Sequence, residues 1–201
     1  IKKELGRMLA MTKENVNESF NAIRSRSTQL LASIEEREKY IDYLNKEISK
    51  YISKILVNEN NAKDTKYISA LFKVCGNLER ISDHAVNLGE YAQTMEEQGI
   101  VLSDAEMDEI REMQSTSMEA LEALETIAST SKKDIRQIKA LEQKIDDMTE
   151  KYRGHSLERM QKNISSAEGC VIFSEMLTDF ERIGDHILNI GQEMGRGKVS
   201  A

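Results

Sequence analysis

At 201 residues the chain is long enough to bury a real core, as one domain or two small ones. It has no proline or tryptophan, only 5 % aromatics and 31 % charged residues, a composition that reads as long helices. A formal net charge of -7 with scattered basic residues argues against a nucleic-acid ligand, which needs a basic stripe to neutralise phosphates.

Six helices are predicted. The first covers Lys2 to Ser27, with Leu5, Leu9, Val16, Phe20 and Ile23 on one stripe. The second covers Leu31 to Val57, its stripe being Ile34, Ile41, Leu44, Ile48, Tyr51 and Ile55, and an Asn-rich break at 58–61 ends it. The third, Thr65 to Glu97, is the cleanest. Tyr67, Leu71, Val74, Leu78, Ile81, Ala85, Leu88, Ala92 and Met95 alternate by four and three, the seam of a helical bundle. The fourth opens at Ser103, where Ser103-x-x-Glu106 can form a capping box, and runs to Ala128. The fifth, Lys133 to Arg153, carries Ile138, Leu141, Ile145, Met148 and Tyr152; His155 to Ile164 reads equally as helix or link. Ser165-x-x-Glu168 can cap the sixth, which carries Phe173, Met176, Phe180, Ile183, Ile187, Ile190 and Met194 and fades at Gly195-Arg196-Gly197.

The chain repeats itself. Glu79-Arg80-Ile81-Ser82-Asp83-His84-Ala85-Val86-Asn87-Leu88-Gly89 returns as Glu181-Arg182-Ile183-Gly184-Asp185-His186-Ile187-Leu188-Asn189-Ile190-Gly191, with seven identities 102 residues on. A half-chain period with three helices per half means two copies of a three-helix unit. The expected fold is all-α, a tandem pair of antiparallel three-helix bundles, with residues 1–99 as the first repeat and 100–201 as the second.

Paired carboxylates are the candidate chemistry. At 100° per residue, Glu79 and Asp83 lie about 40° apart with Cβ atoms roughly 6 Å apart, flanking the seam. Glu181 and Asp185 repeat the arrangement, and Glu38 with Asp42 and Glu142 with Asp146 offer the same spacing on the second and fifth helices. Each half can bring four carboxylates to the edge of a groove, where their repulsion calls for a cation or a proton. Oxygen-only donors suit Mg, Ca, Mn or Fe, and zinc also fits. A single Glu-x-x-x-Asp is usually a solvated helix face; four of them, two inside a duplicated motif, favour a metal. Arg80 and Arg182 sit about 100° round the helix from Glu79 and Glu181 and are expected to serve other partners.

His84 and His186 read as packing or outer hydrogen-bonding residues more readily than as ligands, and Asn87 and Asn189 as partners of an arginine on another helix. Gly76, Gly89, Gly184 and Gly191 each cost about 1 kcal/mol against Ala inside a helix, which close approach of a neighbouring helix explains. Cys75 and Cys170 lie within helical patterns without metal-ligand spacing, and read as buried free thiols suited to a reducing cytoplasm. No apolar run approaches the roughly 18 residues a membrane span needs. The start at Ile1, without Met and already in helical pattern, suggests a piece of a longer polypeptide.

At the two Glu-Arg-Ile-x-Asp-His-x-x-Asn-x-Gly segments the chain resembles the PhoU family, and the resemblance spans essentially all of it. It implies two three-helix bundles with this motif on each third helix, and iron or zinc clusters held by paired acidic motifs. The ligands it implies are Glu79, Asp83, Glu181 and Asp185, with Glu38, Asp42, Glu142 and Asp146 as second-helix partners. It implies control of phosphate uptake or repression of phosphate-starvation signalling, not catalysis. Ser82 departs from the family's usual Gly, and Ile187 and Gly191 also differ. His155-x-x-Glu158-Arg159, then Phe173-Ser174-Glu175-Met176-Leu177-Thr178-Asp179-Phe180-Glu181, is similar to the PhoU-like tail of bacterial sodium/phosphate cotransporters.

The leading expectation is such a cytoplasmic regulatory tail at the inner face of the plasma membrane, with a transporter membrane domain or a phosphate-signalling protein as partner and self-association allowed. A free-standing PhoU-type regulator is the alternative, followed by a metal-free helical scaffold. A di-iron enzyme is disfavoured, because such sites use Glu-x-x-His and here the histidines follow Glu79 and Glu181 by five residues.

Overall fold

The computed structural model describes residues 1–25, 27–59, 61–124 and 131–198. Among them the regular elements are six α-helices and one 3-10 turn: α1 Lys2–Ser25, the turn Thr28–Leu30, α2 Leu31–Asn58, α3 Ala62–Gln98, α4 Asp104–Glu122, α5 Lys132–Gln161 and α6 Ala167–Lys198. The all-α class and six-helix order are those read from the residues.

Short polar side chains set the helix starts. Asn61 caps α3 by accepting from Lys63 N, and Ser103 with Glu106 and Ser131 with Asp134 form reciprocal capping boxes on α4 and α5. Helix α3 ends at Gly99, whose φ of 65° is the left-handed region where glycine meets no side-chain penalty.

Boundaries shift where tertiary contacts act. Helix α1 stops at Ser25, and Ser27 instead caps the 3-10 turn. Helix α5 runs through the undecided stretch to Gln161, because His155 and Arg159 find carboxylate partners on α4. Helix α6 does not fade at Gly195: Ile135 of α5 packs so closely that a Cβ there would clash with its Cδ1. Ser165 is not the cap of α6. Its hydroxyl donates to Glu106, and Ser166 accepts from Gly169 N in its place. Helix α4 ends at Glu122 and turns at Ala123–Leu124, so the end expected near Ala128 lies outside the described residues.

Helices α3 and α6 pack together at the centre, α1 and α2 against α3, α4 and α5 against α6, and α1 touches α4. The α3 seam is buried from Leu71 to Met95, and Phe20 of α1 stacks on Phe180 of α6 with ring centroids 4.7 Å apart. One apolar cluster therefore runs through both halves. On α2 the stripe continues from Ile48 to Ile52, which is fully buried, while Tyr51 is 58 % exposed. A step of four there keeps the stripe on α3, where the expected step of three turns outward.

Ser82 earns its place in the first motif. It is fully buried and accepts a 2.8 Å hydrogen bond from Asn15, which also donates to Ile34 O and accepts from Arg37. Gly184, its counterpart, faces Ile145, whose Cδ1 would lie 3.2 Å from an added Cβ. Gly89 and Gly191 are likewise crowded, by Leu31 and Ile138, but Gly76 is not: a Cβ built there meets nothing within 4 Å.

Candidate functional site

The seam of α3 holds Leu78 and Ile81 in the core, which leaves Glu79 and Asp83 on the side turned toward α2. Glu38 and Asp42 come from α2 to meet them. The Glu38 and Asp83 carboxyl groups share a hydrogen bond, and Asp42 adds its charge to the same field. Burial first, then repulsion from Glu79, pushes Asp83 up to about 6, although it reaches solvent. Glu38 is raised by burial and then by Asp83, and Glu79 by burial and then by Asp42. Cations stand around this set: Lys46 Nζ lies 2.5 Å from Asp42 Oδ2, and Arg80 and Lys39 offset part of the charge on Glu79 and Glu38.

The second half builds the same arrangement from α5 and α6. Glu142 is raised by burial, then by Asp146 and Asp185, and Asp146 by burial, then by Asp185 and Glu181. Asp146 Oδ1 is buried and finds no hydrogen-bond partner among the described residues. Arg153 lies 3.5 Å from Glu181. Arg182 lies 3.3 Å from Asp185, one turn along its own helix, and so neutralises part of this set instead of serving partners outside it.

The eight acidic residues thus fall into two sets of four, one on α2 and α3 and one on α5 and α6. Each set shares a single electrostatic field. Among the described residues, however, no three His, Cys, Asp or Glu side chains already enclose a point fit for an ion.

The motif histidines sit elsewhere, in the seam between the halves. Their rings stack at 5.6 Å, His84 Nδ1 lies 2.6 Å from Asp179 and His186 Nδ1 lies 2.9 Å from Asn77. Asn77 and Asp179 hold the same place in the two repeats, seven residues before His84 and His186. Burial, then the neighbouring His84, pushes His186 down to about 4. Among the described residues Asn87 does not find the expected arginine; it donates to Asp179 at 3.2 Å, a partner the spacing could not reveal because it comes from the other half.

Two further features escaped the sequence reading. The first is a buried ionic network between α4 and α5. Arg159 reaches both oxygens of Glu109 at 3.1 and 2.6 Å, its Nε lies 3.6 Å from the fully buried Glu106, and His155 Nδ1 lies 2.7 Å from Glu109. Its signal was the spacing of His155 and Arg159, four apart, and of Glu106 and Glu109, three apart, each pair on one helix face. The second is a cleft of 480 Å³ between α2, α3 and α6, beside Glu79. Cys75 is buried as expected, its thiol pushed up to about 12 by burial and then by Glu79, and Cys170 is buried too.

Among the described residues no helix is long and apolar enough to cross a membrane. The PhoU domain family matches residues 5–92 and again 107–194. A phosphate-specific transport system accessory protein, PhoU homolog 1 of Thermotoga maritima, is 25 % identical over 96 % of this chain and 84 % of its own length. A PhoU homolog with the same description from Borreliella burgdorferi is 26 % identical over 88 % of this chain and 82 % of its own. The crystal structure of PhoU from Pseudomonas aeruginosa superposes with a TM-score of 0.89 at 22 % identity, covering 96 % of this chain and 92 % of that one. That of the phosphate transport system regulatory protein PhoU from Streptococcus pneumoniae gives 0.84 at 16 %, covering 99 % and 93 %.

Proposed function

Because this chain belongs to the PhoU family, we propose that it is a PhoU-type regulator of phosphate transport that acts by protein contact rather than by catalysis. The observation that carries this is the double match, one per half, together with relatives described as accessory proteins of a phosphate-specific transport system. Those relatives favour the accessory-protein reading over a cotransporter tail. The residues that suggested the tail also have a plain structural use, since His155 and Arg159 tie α5 to α4. The place of action is the cytoplasm, against a transporter subunit or a signalling protein.

The test is replacement of the resident PhoU gene in a bacterium with this chain. Phosphate uptake and a phosphate-starvation reporter should return to their repressed levels in phosphate-rich medium. A reporter that stays fully induced, with the protein present and folded, removes the reading.

The carboxylate sets support a second element of the proposal, a bound cation in each half. The orphaned Asp146 oxygen and the raised acids support this reading, because a cation would supply the missing partner and cancel the repulsion. Glu38, Asp42, Glu79 and Asp83 would hold one cation set, and Glu142, Asp146, Glu181 and Asp185 the other. Iron or zinc is implied by kinship, and Mg, Ca or Mn by the all-oxygen donors. A bound cation would supply positive charge that locks α2 to α3 and α5 to α6. Saturating metal, at about a hundred times its dissociation constant, should stabilise the fold by about 2.7 kcal/mol per site. Elemental analysis of protein purified without chelator or metal resin should show metal, and Glu79→Ala with Asp83→Ala should lower it by the first half's share. Unchanged content in that variant would remove the assignment.

A further inference from the structure

The two halves differ beside their carboxylates. In the second half Arg153 of α5 spans to α6, donating to Thr178 at 2.8 Å and lying 3.5 Å from Glu181. In the first half the register puts Ser49 where Arg153 stands, eleven residues after the leading glutamate of the second helix, and Gly76 where Thr178 stands, three before the motif glutamate. Two small residues thus stand where the second half has an arginine and a threonine. The result is the 480 Å³ cleft, walled by Ser49, Gly76 and Glu79, with Phe72 on it and Asn189 and Glu193 closing it from α6.

We propose that this cleft is a socket for an arginine side chain presented by a protein partner, whose guanidinium would take the position that Arg153 fills in the other half. The molecule contains its own example of what fits. A guanidinium entering here meets Glu79 as its counter-ion, as Arg153 meets Glu181. It also meets the ring of Phe72, 46 % exposed, where the second half has only Ser174. Arginine stacks on such faces while its fork binds a carboxylate, and lysine does so less well. Two cations also line the cleft. Lys73 is paired with Glu193 at 3.2 Å, and Arg80 lies in the field of Glu79, behind which stand Asp42 and Glu38. The lining itself is balanced, two acids against two cations, so the occupant is argued from the Arg153 arrangement and the Phe72 ring. The socket needs no metal, although a cation held by the first carboxylate set would share Glu79 with the arginine, and it does not depend on which process the partner serves.

The test is a titration of the full chain with N-acetylarginine amide, followed by NMR of the isotope-labelled backbone. Saturable shifts should appear on α2 and α3 around Ser49 and Gly76, with weaker ones for the lysine amide. Ser49→Arg, which supplies the missing side chain from within, should weaken binding about tenfold or more, the loss of one charge-assisted contact. Ser53→Arg adds the same charge one turn away on an exposed position and should change affinity less than about twofold. Phe72→Ala should weaken binding severalfold without disturbing the fold. Equal losses in the two arginine variants, or cleft shifts with inorganic phosphate and none with the arginine amide, overturn the proposal. Because the readout is binding, it separates this idea from the phosphate-transport reading, which fails or stands on the reporter alone.

Discussion

Arg159→Ala should destabilise the protein by roughly 3–5 kcal/mol, the cost of leaving buried carboxylates without their cation. Glu106 is fully buried, Glu109 nearly so, and Arg159 supplies the guanidinium that meets both. The side chain does more than carry charge, since it also lies over the Phe173 ring at 5.6 Å and so helps seal α6 against α5. Urea unfolding reads this directly. The midpoint should fall with the slope unchanged, and Glu109→Gln in the Arg159→Ala background should recover part of the loss because one buried charge disappears. A drop below about 1 kcal/mol would place the network among exposed ion pairs of little consequence.

Phe180→Ala is the second large effect, about 3–5 kcal/mol for a fully buried ring. The expected signature is its coupling to Phe20→Ala. The rings stack at 4.7 Å with planes 11° apart, and one belongs to each half. Their double-mutant cycle should show a coupling of about 1 kcal/mol, the middle of the range for aromatic pairs. Unfolding of either single variant should remain one transition, because the apolar cluster runs through both halves. Two separated transitions would mean that each three-helix unit folds on its own.

The helices and the duplication were legible because both are local properties. A four-three alternation such as Leu71 to Met95 needs no knowledge of the partner helix, and an eleven-residue motif returning at half-chain spacing needs no structure. The limits were equally physical. Tyr51 and Ile52 both suit a helix face, and only the position of α3 decides which turns inward. Gly76 looked like its crowded companions, because a glycine's neighbour across space leaves no trace in the chain. The carboxylate spacing was readable along each helix, and their convergence across helices follows from the register of α2 on α3. The histidine seam was out of reach, since each ring answers to a residue of the opposite repeat.

That seam has a consequence for how the copies have diverged. Asp179 faces His84 and Asn77 faces His186, so the middle of the molecule carries one acid and one amide at equivalent places. Two first halves joined together would set imidazole against amide on both sides, and two second halves would set it against carboxylate on both. The present chain is a marriage of unlike siblings. Neither copy can substitute for the other without changing the charge at their join by one.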